Sequence, residues 1–149
     1  MRHARTLTRL SIGGYLLMVI SILGLGYFRC LFSWAPWVIA LQVAAVGLMV
    51  WARATFKLRS FHAAANPTPG GLVTTGPFRY IRNPIYASVL LFAASGALAQ
   101  PSLPGALWLA VLGVGVALRV GAEERLLTEQ YPDYPQYARS TKRFIPFVF

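Results

Sequence analysis

Three long stretches without a charged residue constrain this chain more than any other feature of its sequence. They cover residues 10–28, 30–52 and 83–118. A helix needs about 20 apolar residues to cross a hydrocarbon core of about 30 Å, so the first two stretches each fit one membrane-spanning helix. The third is longer than one span requires and contains Gln100, Pro101 and Pro104 near its middle. It predicts two short spans, 85–99 and 105–118, joined by a tight turn.

The prediction is therefore an all-α integral membrane protein with about four transmembrane helices, the third and fourth forming a hairpin. A basic N-terminus followed by an apolar run also resembles a secretory signal. However, this run is longer than a usual signal, has no small-x-small cleavage site after it, and ends at Tyr27, Phe28 and Arg29. We therefore expect an uncleaved anchor.

The basic residues lie almost entirely on one side of these predicted spans. They precede the first span, lie between the second and the third, and follow the fourth, with Arg29 as the exception. Because Lys and Arg favour cytoplasmic loops, we expect both termini and the central loop in the cytoplasm. The expected location is the inner membrane of a bacterium.

Charge and composition exclude several other classes of protein. A net charge of +10 would suit a nucleic-acid-binding domain, but such a domain spreads its charges over a surface, whereas here they lie in blocks between apolar spans. We therefore expect no nucleic-acid partner. Cys30 is the single cysteine, which excludes a disulfide scaffold. A hydrophobic content of 56% excludes a disordered tail.

One predicted cytoplasmic segment, residues 66–86, is rich in proline and glycine, which supply turns with exposed backbone donors and acceptors. Pro84 suits the first turn of the third span, and Asn83 before it is a preferred N-cap type. By itself the segment is consistent with a rigid loop that caps a helix, with Arg79 and Arg82 reaching lipid headgroups.

A second segment, residues 119–127, contains two adjacent carboxylates at the end of the fourth span. Arg119 and Glu123 stand four residues apart and share a helix face, whereas Glu124 lies on a different face. An interfacial ion pair explains Arg119 with Glu123 and leaves Glu124 solvated. A buried charge at the end of a span is, alternatively, a candidate for function.

Together these segments resemble the signature of the membrane methyltransferases that include isoprenylcysteine carboxyl methyltransferases and phospholipid methyltransferases. In that family an Arg-His-Pro-x-Tyr or Arg-Asn-Pro-x-Tyr motif is followed, one helical hairpin later, by a Glu-Glu pair. A closing Tyr-x-x-Tyr…Arg-Phe-x-Pro motif comes last. The three motifs occur here in that order, at residues 82–86, 123–124 and 134–146. The resemblance covers residues 55–149.

The resemblance implies an S-adenosylmethionine-dependent methyltransferase with its cofactor on the cytoplasmic side. Arg119 and Arg82 would be catalytic: Arg119 would bind the polar group of the substrate, and Arg82 would orient that group or the cofactor carboxylate. Glu123 would hold the cofactor ammonium, and no metal ligand is implied. The implied cofactor-binding residues are Gly70, Gly71, Leu72, Val73, Phe78, Asn83, Pro84, Ile85, Tyr86, Glu123 and Glu124.

The methyl acceptor that the resemblance implies is a lipid-like or prenylated molecule, small or protein-borne, met at the membrane. A carboxylate acceptor needs only a cation such as Arg119, whereas an amine must lose a proton, for which Glu124 is a candidate base. Carboxyl methylation is therefore favoured over phospholipid amine methylation. Asn83 replaces the histidine of the better-known members and removes an ionisable ring.

A small four-span transporter or a non-enzymatic membrane subunit is the alternative of another class. Proton-coupled exporters need an ionisable residue deep within a span, and the first three spans contain none, which disfavours this alternative.

We expect a single domain, 1–149, with an N-terminal helical hairpin over 1–54 and the cofactor-binding and catalytic part over 55–149. A C-terminal interfacial helix is also expected, because residues 124–131 are helix-compatible and Pro132 and Pro135 would break a helix. The tyrosines and basic residues of the tail form either an interfacial belt or a lid over the site. The oligomeric state is not determined by these features.

Overall fold

The computed structural model describes residues 2–56 and 72–146. These residues form five α-helices and one 3₁₀ turn, which agrees with the predicted all-α class. The helices are α1 (Arg2–Tyr27), α2 (Pro36–Phe56), α3 (Pro84–Ala99), α4 (Leu103–Gln130) and α5 (Tyr134–Ser140), and the 3₁₀ turn is Gly76–Arg79.

Three of the helices are long and apolar enough to cross a membrane. They are α1, α2 and α4, with 26, 21 and 28 residues. The third helix, α3, is apolar but has only 16 residues, which gives a length of about 24 Å at 1.5 Å per residue. The described chain therefore has three full-length candidate spans and one shorter apolar helix, α3, at the position of the predicted third span.

The length of α4 corrects the expectation that both arms of the hairpin are short. The helix continues past the predicted end near Leu118 as far as Gln130, because Arg, Glu, Ala and Leu in its last turns are good helix formers. Charged side chains end an apolar span without ending a helix. Pro135 does not break a helix either, since it lies in the first turn of α5.

The connection between α1 and α2 and the turn between α3 and α4 lie at the same end of the bundle. In the short turn between α3 and α4, Ser102 caps α4 by accepting a hydrogen bond from the Gly105 amide at 3.2 Å. This turn contacts the connection between α1 and α2. Gln100 of the turn donates to the carbonyl of Phe32 in that connection, and Ser102 Oγ of the turn lies 3.3 Å from Cys30 Sγ. The helices therefore alternate in direction.

Helix packing crosses the boundary between the predicted N-terminal hairpin and the rest of the chain. The main contacts of α1 are with α4, and those of α2 are with α3. At the α1–α4 crossing, a Cβ added to Gly14 would lie 2.7 Å from the carbonyl oxygen of Gly115. Small residues allow helix backbones to approach closely in lipid, so glycine at this crossing is required by packing.

The outer surface of the helices is strongly apolar, as expected for a chain surrounded by lipid. Large aliphatic side chains on α1, α2 and α3 are half or more exposed, and contiguous apolar surface of this kind is unusual for a soluble monomer. Examples are Leu16, Leu23, Val43, Val50 and Leu98.

Candidate active site

The candidate site lies where the start of α3, the last turns of α4 and the tail meet. Asn83 and Pro84 begin α3, and proline suits this position because the first helical amide has no partner in the helix. Asn83 occupies the N-cap position as predicted, but its side chain makes no capping hydrogen bond. The amide instead donates to Glu124 Oε1 at 2.9 Å. Asn83 thus connects α3 to α4.

Glu123, Tyr86 and Arg119 form one group of mutual contacts, the Glu123 cluster. The Tyr86 hydroxyl lies 2.8 Å from each carboxylate oxygen of Glu123 and donates to them. Arg119 Nη2 pairs with Glu123 Oε1 at 2.9 Å, and Arg119 Nε donates to the Tyr86 oxygen at 2.6 Å. The predicted i,i+4 pair is therefore present, with a tyrosine from α3 added to it.

Arg119 is a buried cation that α1 also contacts. The residue is 6% exposed, and its Nη1 donates to the backbone carbonyl of Ser11 at 3.3 Å. Its Cζ atom lies 5.3 Å from the centre of the Tyr15 ring, within the range of a cation–π contact. Burying an arginine is tolerable only when partners replace its hydration, and α1, α3 and α4 all supply them.

Glu124, Arg82, Asn83 and Arg143 form a second group, the Glu124 cluster. Arg82 Nε lies 2.8 Å from Glu124 Oε1, and Arg143 Nη2 lies 2.8 Å from Glu124 Oε2. The side chain of Glu124 is 13% exposed. The expectation that Glu124 is solvated is therefore wrong. The expectation that Arg82 reaches lipid headgroups is also wrong, because Arg82 and Glu124 form an ion pair with each other.

Arg82 also joins the tail to the loop before α3. Its Nη1 donates to the carbonyls of Ala138 at 3.1 Å and Thr141 at 2.7 Å, near the C-terminal end of α5. The backbone adds a short parallel bridge, in which the Arg82 amide donates to the Lys142 carbonyl and the Lys142 amide donates to the Tyr80 carbonyl. The closing motif is thus held against the Arg-Asn-Pro motif.

Two tyrosines of the tail point inward. Tyr137 donates to the carbonyl of Phe78 at 2.6 Å, and Tyr134 is 4% exposed. Burial raises the pKa of Tyr137 to about 12 and also raises the pKa of Tyr134, so both hydroxyls keep their protons at neutral pH. Of the two interpretations of the tail, these contacts favour a cover over the loop rather than an interfacial belt.

An open pocket of about 670 Å³ lies beside the Glu124 cluster, within the usual range of about 300–1,000 Å³ for ligand sites. Its wall carries charges of both signs. Arg143 Nε is buried there and has no hydrogen-bond partner among the described residues. The lining residues are Arg82, Gly121, Glu124, Arg125, Thr128, Glu129, Tyr134, Pro135, Ala138 and Arg143.

This donor set fits a ligand with an amino-acid end, such as S-adenosylmethionine. A carboxylate such as that of Glu124 suits an ammonium group, and the guanidinium groups of Arg82 and Arg143 suit a carboxylate. Glu124 lines the pocket, while Glu123 contacts Arg119 and Tyr86 and is absent from the described lining. No group of three or more His, Cys, Asp or Glu side chains able to hold a metal occurs in the part of the chain that the structure describes.

The structure brings six of the predicted site residues into the two clusters. These six are Arg82, Asn83, Tyr86, Arg119, Glu123 and Glu124. The other predicted site residues that the structure describes lie at the start of α3 and in the segment before it. Pro84 and Ile85 form the first turn of α3, and Leu72 and Val73 are half-buried in the segment before the 3₁₀ turn.

Phe78 is buried, and its ring lies 5.6 Å from that of Phe56 at the end of α2. Gly70 and Gly71, predicted to let the cofactor approach the backbone, lie outside the described residues. The implied roles in cofactor binding stay predictions for all of these positions.

Sequence reasoning missed the contribution of α1 to the site. Ser11 and Tyr15 lie in an apolar span and belong to none of the motifs, so no local signal marks them. Arg143 belongs to the closing motif and to the basic residues of the tail, but its ion pair with Glu124 depends on a contact between the tail and α4. Only the packing of distant segments reveals these partners.

Apolar helices that bring an Arg-Asn-Pro-x-Tyr turn against a Glu-Glu pair indicate a membrane-embedded methyltransferase. The chain belongs to the phospholipid methyltransferase family, whose model matches residues 34–134. This confirms the family that the motifs predicted. Methyltransferases of this kind typically use S-adenosylmethionine. The match covers α2, α3 and α4 and begins after α1.

A similar curated protein is the cobalt-zinc-cadmium resistance protein CzcN of Cupriavidus metallidurans. It is 32% identical to this chain over an alignment that covers 94% of the chain. The chain spans 65% of the length of that relative. No solved structure matches the chain.

Proposed function

We propose that this protein transfers a methyl group from S-adenosylmethionine to the carboxylate of a lipid-like or prenylated acid. The observation that carries the proposal is Arg119, a cation only 6% exposed that Glu123 and Tyr86 hold among apolar helices. A guanidinium group buried among apolar helices suits a carboxylate whose apolar tail stays in lipid. Membrane lipids are then the surroundings from which the acceptor arrives.

The cofactor's amino-acid end is proposed to lie in the pocket beside Glu124. Glu124 and Glu123 are the candidate partners of its ammonium group, and Arg82 and Arg143 those of its carboxylate. When bound there, the cofactor supplies an electrophilic methyl group on a sulfonium. The two adjacent glutamates are the link between this pocket and Arg119, because they leave α4 on different sides.

The residues of the chain contribute placement and exclusion of water. Arg119 would bind the acceptor carboxylate, and the close packing of α1, α3 and α4 around it keeps water away from the reacting groups, which favours reaction between opposite charges. Alignment of the carboxylate oxygen with the methyl carbon supplies much of the remaining acceleration. The oxygen–carbon bond forms as the sulfur–carbon bond breaks, so no proton has to move.

Methylation of a phospholipid amine is the second candidate, favoured by the description of the family. An amine must lose a proton before it can attack, and Glu124 is a candidate base. In the structure, Arg82, Asn83 and Arg143 all donate to Glu124, which stabilises its charged form and makes it a weaker base. This arrangement supports the carboxylate acceptor over the amine.

Cofactor binding is the first test of the proposal. Calorimetry on the detergent-purified protein is expected to show saturable binding of S-adenosylhomocysteine, which Glu124→Ala abolishes. Asp133→Asn is the matched control, because Asp133 is an exposed carboxylate near the same end of α4 whose side chain makes no capping hydrogen bond. Absence of wild-type binding at concentrations well above those of the cellular cofactor contradicts the enzyme assignment.

The acceptor is tested with labelled S-adenosylmethionine against lipid extracts and prenylcysteine analogues. A methyl ester releases labelled methanol in alkali, whereas an N-methyl group is stable. We expect alkali-labile label on a prenylated acid. Alkali-stable label confined to phospholipid would contradict carboxyl methylation and support the amine.

We propose the four-span topology with both termini in the cytoplasm on the basis of the basic residues and the alternating helices. Cysteine labelling in whole cells tests it, since the native Cys30 is buried. Trp34, 94% exposed between α1 and α2, should react as Trp34→Cys with a membrane-impermeant maleimide. Asp133→Cys should react only after the membrane is permeabilised, and the reverse pattern contradicts the orientation.

A further inference from the structure

The first helix contacts the candidate catalytic arginine although it lies outside the family match. The match begins at residue 34, and α1 ends at Tyr27. Nevertheless, Ser11 and Tyr15 of α1 both contact Arg119. This helix therefore has a place in the site that the family motifs do not predict.

The contacts on Arg119 divide between two sides of its guanidinium group. On one edge, Nε and Nη2 are held by Tyr86 and Glu123 from α3 and α4. On the other, Nη1 donates to the Ser11 carbonyl, and Cζ lies over the Tyr15 ring, 5.3 Å from its centre. A guanidinium group is planar and stacks on aromatic rings, so the contacts from α1 add to those from α3 and α4 in fixing its orientation.

Close packing makes the position of α1 determine the position of Arg119. A Cβ added to Gly14 would lie 2.9 Å from the Arg119 amide nitrogen and 3.1 Å from the Arg119 Cβ. The backbone of α1 thus touches the arginine itself at the base of its side chain. Any displacement of α1 would move the ring of Tyr15, one residue further, relative to the guanidinium.

Tyr15 also stands at the boundary between the site and the surrounding lipid. It is 41% exposed, whereas Arg119 is 6% exposed. Its neighbours on the outer surface of α1, Ile12 and Leu16, are apolar and exposed as well. The ring therefore separates a buried cation from the apolar exterior.

We propose that Tyr15 is a positioning residue that holds the Arg119 guanidinium in the orientation that binds the acceptor carboxylate. By this contact α1 becomes part of the acceptor site. The inference rests on the proposed function, because it takes the acceptor to be a carboxylate that Arg119 binds. It adds a residue, a helix and a physical contact that the family motifs leave out.

The test compares Tyr15→Leu, which removes the ring face, with Tyr15→Phe, which keeps it. S-farnesylated N-acetylcysteine serves as the acceptor acid, and its methyl ester as an uncharged reference ligand. Tyr15→Leu is expected to raise KM for the acid about tenfold with a smaller change in kcat, because a desolvated cation–π contact is lost. Tyr15→Phe should restore the wild-type KM.

Two further measurements separate positioning from a general structural role. Affinity for S-adenosylhomocysteine and the thermal midpoint should stay unchanged in Tyr15→Leu, and affinity for the methyl ester should not change, because the ester has no carboxylate to place. Tyr27→Leu is the matched control, since Tyr27 is a tyrosine on the same helix, 83% exposed, with its ring against Phe28. Should Tyr15→Leu fail to fold, Tyr15→Met carries the same comparison.

Several outcomes overturn the inference. One is a Tyr15→Leu variant with the wild-type KM for the acid, and another is a Tyr15→Phe variant as impaired as Tyr15→Leu. Equal loss of affinity for acid and ester would also contradict positioning of a charge. Failure of the proposed function is distinguishable, because it appears as a wild type that transfers no methyl to the acid.

Discussion

Two neighbouring carboxylates on α4 serve different parts of this molecule. Successive helix positions point about 100° apart, so Glu123 contacts Arg119 and Tyr86 within the helix bundle, while Glu124 contacts the loop before α3 and the tail. One short motif thus connects a cluster within the helix bundle with a cluster at the loop and the tail. The proposed methyl transfer from a water-soluble cofactor to a lipid-borne acceptor would use groups from both clusters.

The clusters also differ in what they connect. The Glu123 cluster joins helices that already pack together, and its arginine is almost fully buried. The Glu124 cluster joins the end of α4 to the loop before α3 and to the tail, and Arg143 at its outer edge is 42% exposed. Variants in the first cluster should therefore affect turnover most, and variants in the second should affect stability and cofactor binding.

The largest expected effect is that of Glu124→Ala. It leaves Arg82 and Arg143 facing each other without their shared carboxylate, and breaking a buried pair in this way costs about 3–5 kcal/mol. Because Arg143 is partly exposed, we expect about 3 kcal/mol. The thermal midpoint should fall, S-adenosylhomocysteine binding should be lost, and residues 131–146 should become sensitive to protease. A protein as stable and as protease-resistant as the Asp133→Asn control would contradict this role of Glu124.

Arg119→Lys tests the Glu123 cluster, and its expected effect is the second largest. A lysine ammonium is a point charge and cannot reproduce the planar contacts with Tyr86, Glu123 and Tyr15. Turnover should fall about 100-fold, as for other misplacements of a binding group, with cofactor binding retained in calorimetry. Arg139→Lys, at an exposed arginine on α5, is the control. Unchanged turnover in Arg119→Lys would remove Arg119 from the acceptor site.

A smaller effect is expected at Asn83, which joins α3 to the Glu124 cluster. Asn83→Ala removes a hydrogen bond to a carboxylate, and bonds of this kind contribute about 1.5–3 kcal/mol. Asn83→His, the residue of the better-known family members, retains an N–H donor and should lose less. Thermal midpoints of the two variants check this order, and an equal or greater loss in the histidine variant would show that the amide shape, rather than the donor, matters.

The smallest expected effect is that of Tyr137→Phe, which removes a hydrogen bond to the Phe78 carbonyl worth about 1 kcal/mol. The folded-state pKa of Tyr137 is raised from 10.0 to about 12, so its hydroxyl contributes stability below pH 10 that is lost as the pH rises through about 12. Protease sensitivity of the tail, followed from pH 8 upward, should show this loss in the wild type. If Tyr137→Phe shows the same loss, the phenol is not its cause.

The predictable part of the site came from local patterns. The spacing of Arg119 and Glu123 places both on one helix face whatever surrounds them, and Pro84 can begin a helix because its missing amide has no role there. The order of the three motifs was sufficient to predict the family that the comparison confirms. The end of α4 was not predictable in the same way, since charges limit an apolar span but are compatible with a helix.

By itself, the sequence determined which segments are apolar, where helices begin, and which side chains share a helix face, because these properties depend on residues a few positions apart. Only the tertiary structure decided the partners of each charge. Arg82 and Glu124 are 42 positions apart, and Ser11 and Arg119 are 108 apart. Such contacts exist because helix packing brings distant segments together. For the same reason α1, which carries no motif, completes the surroundings of Arg119.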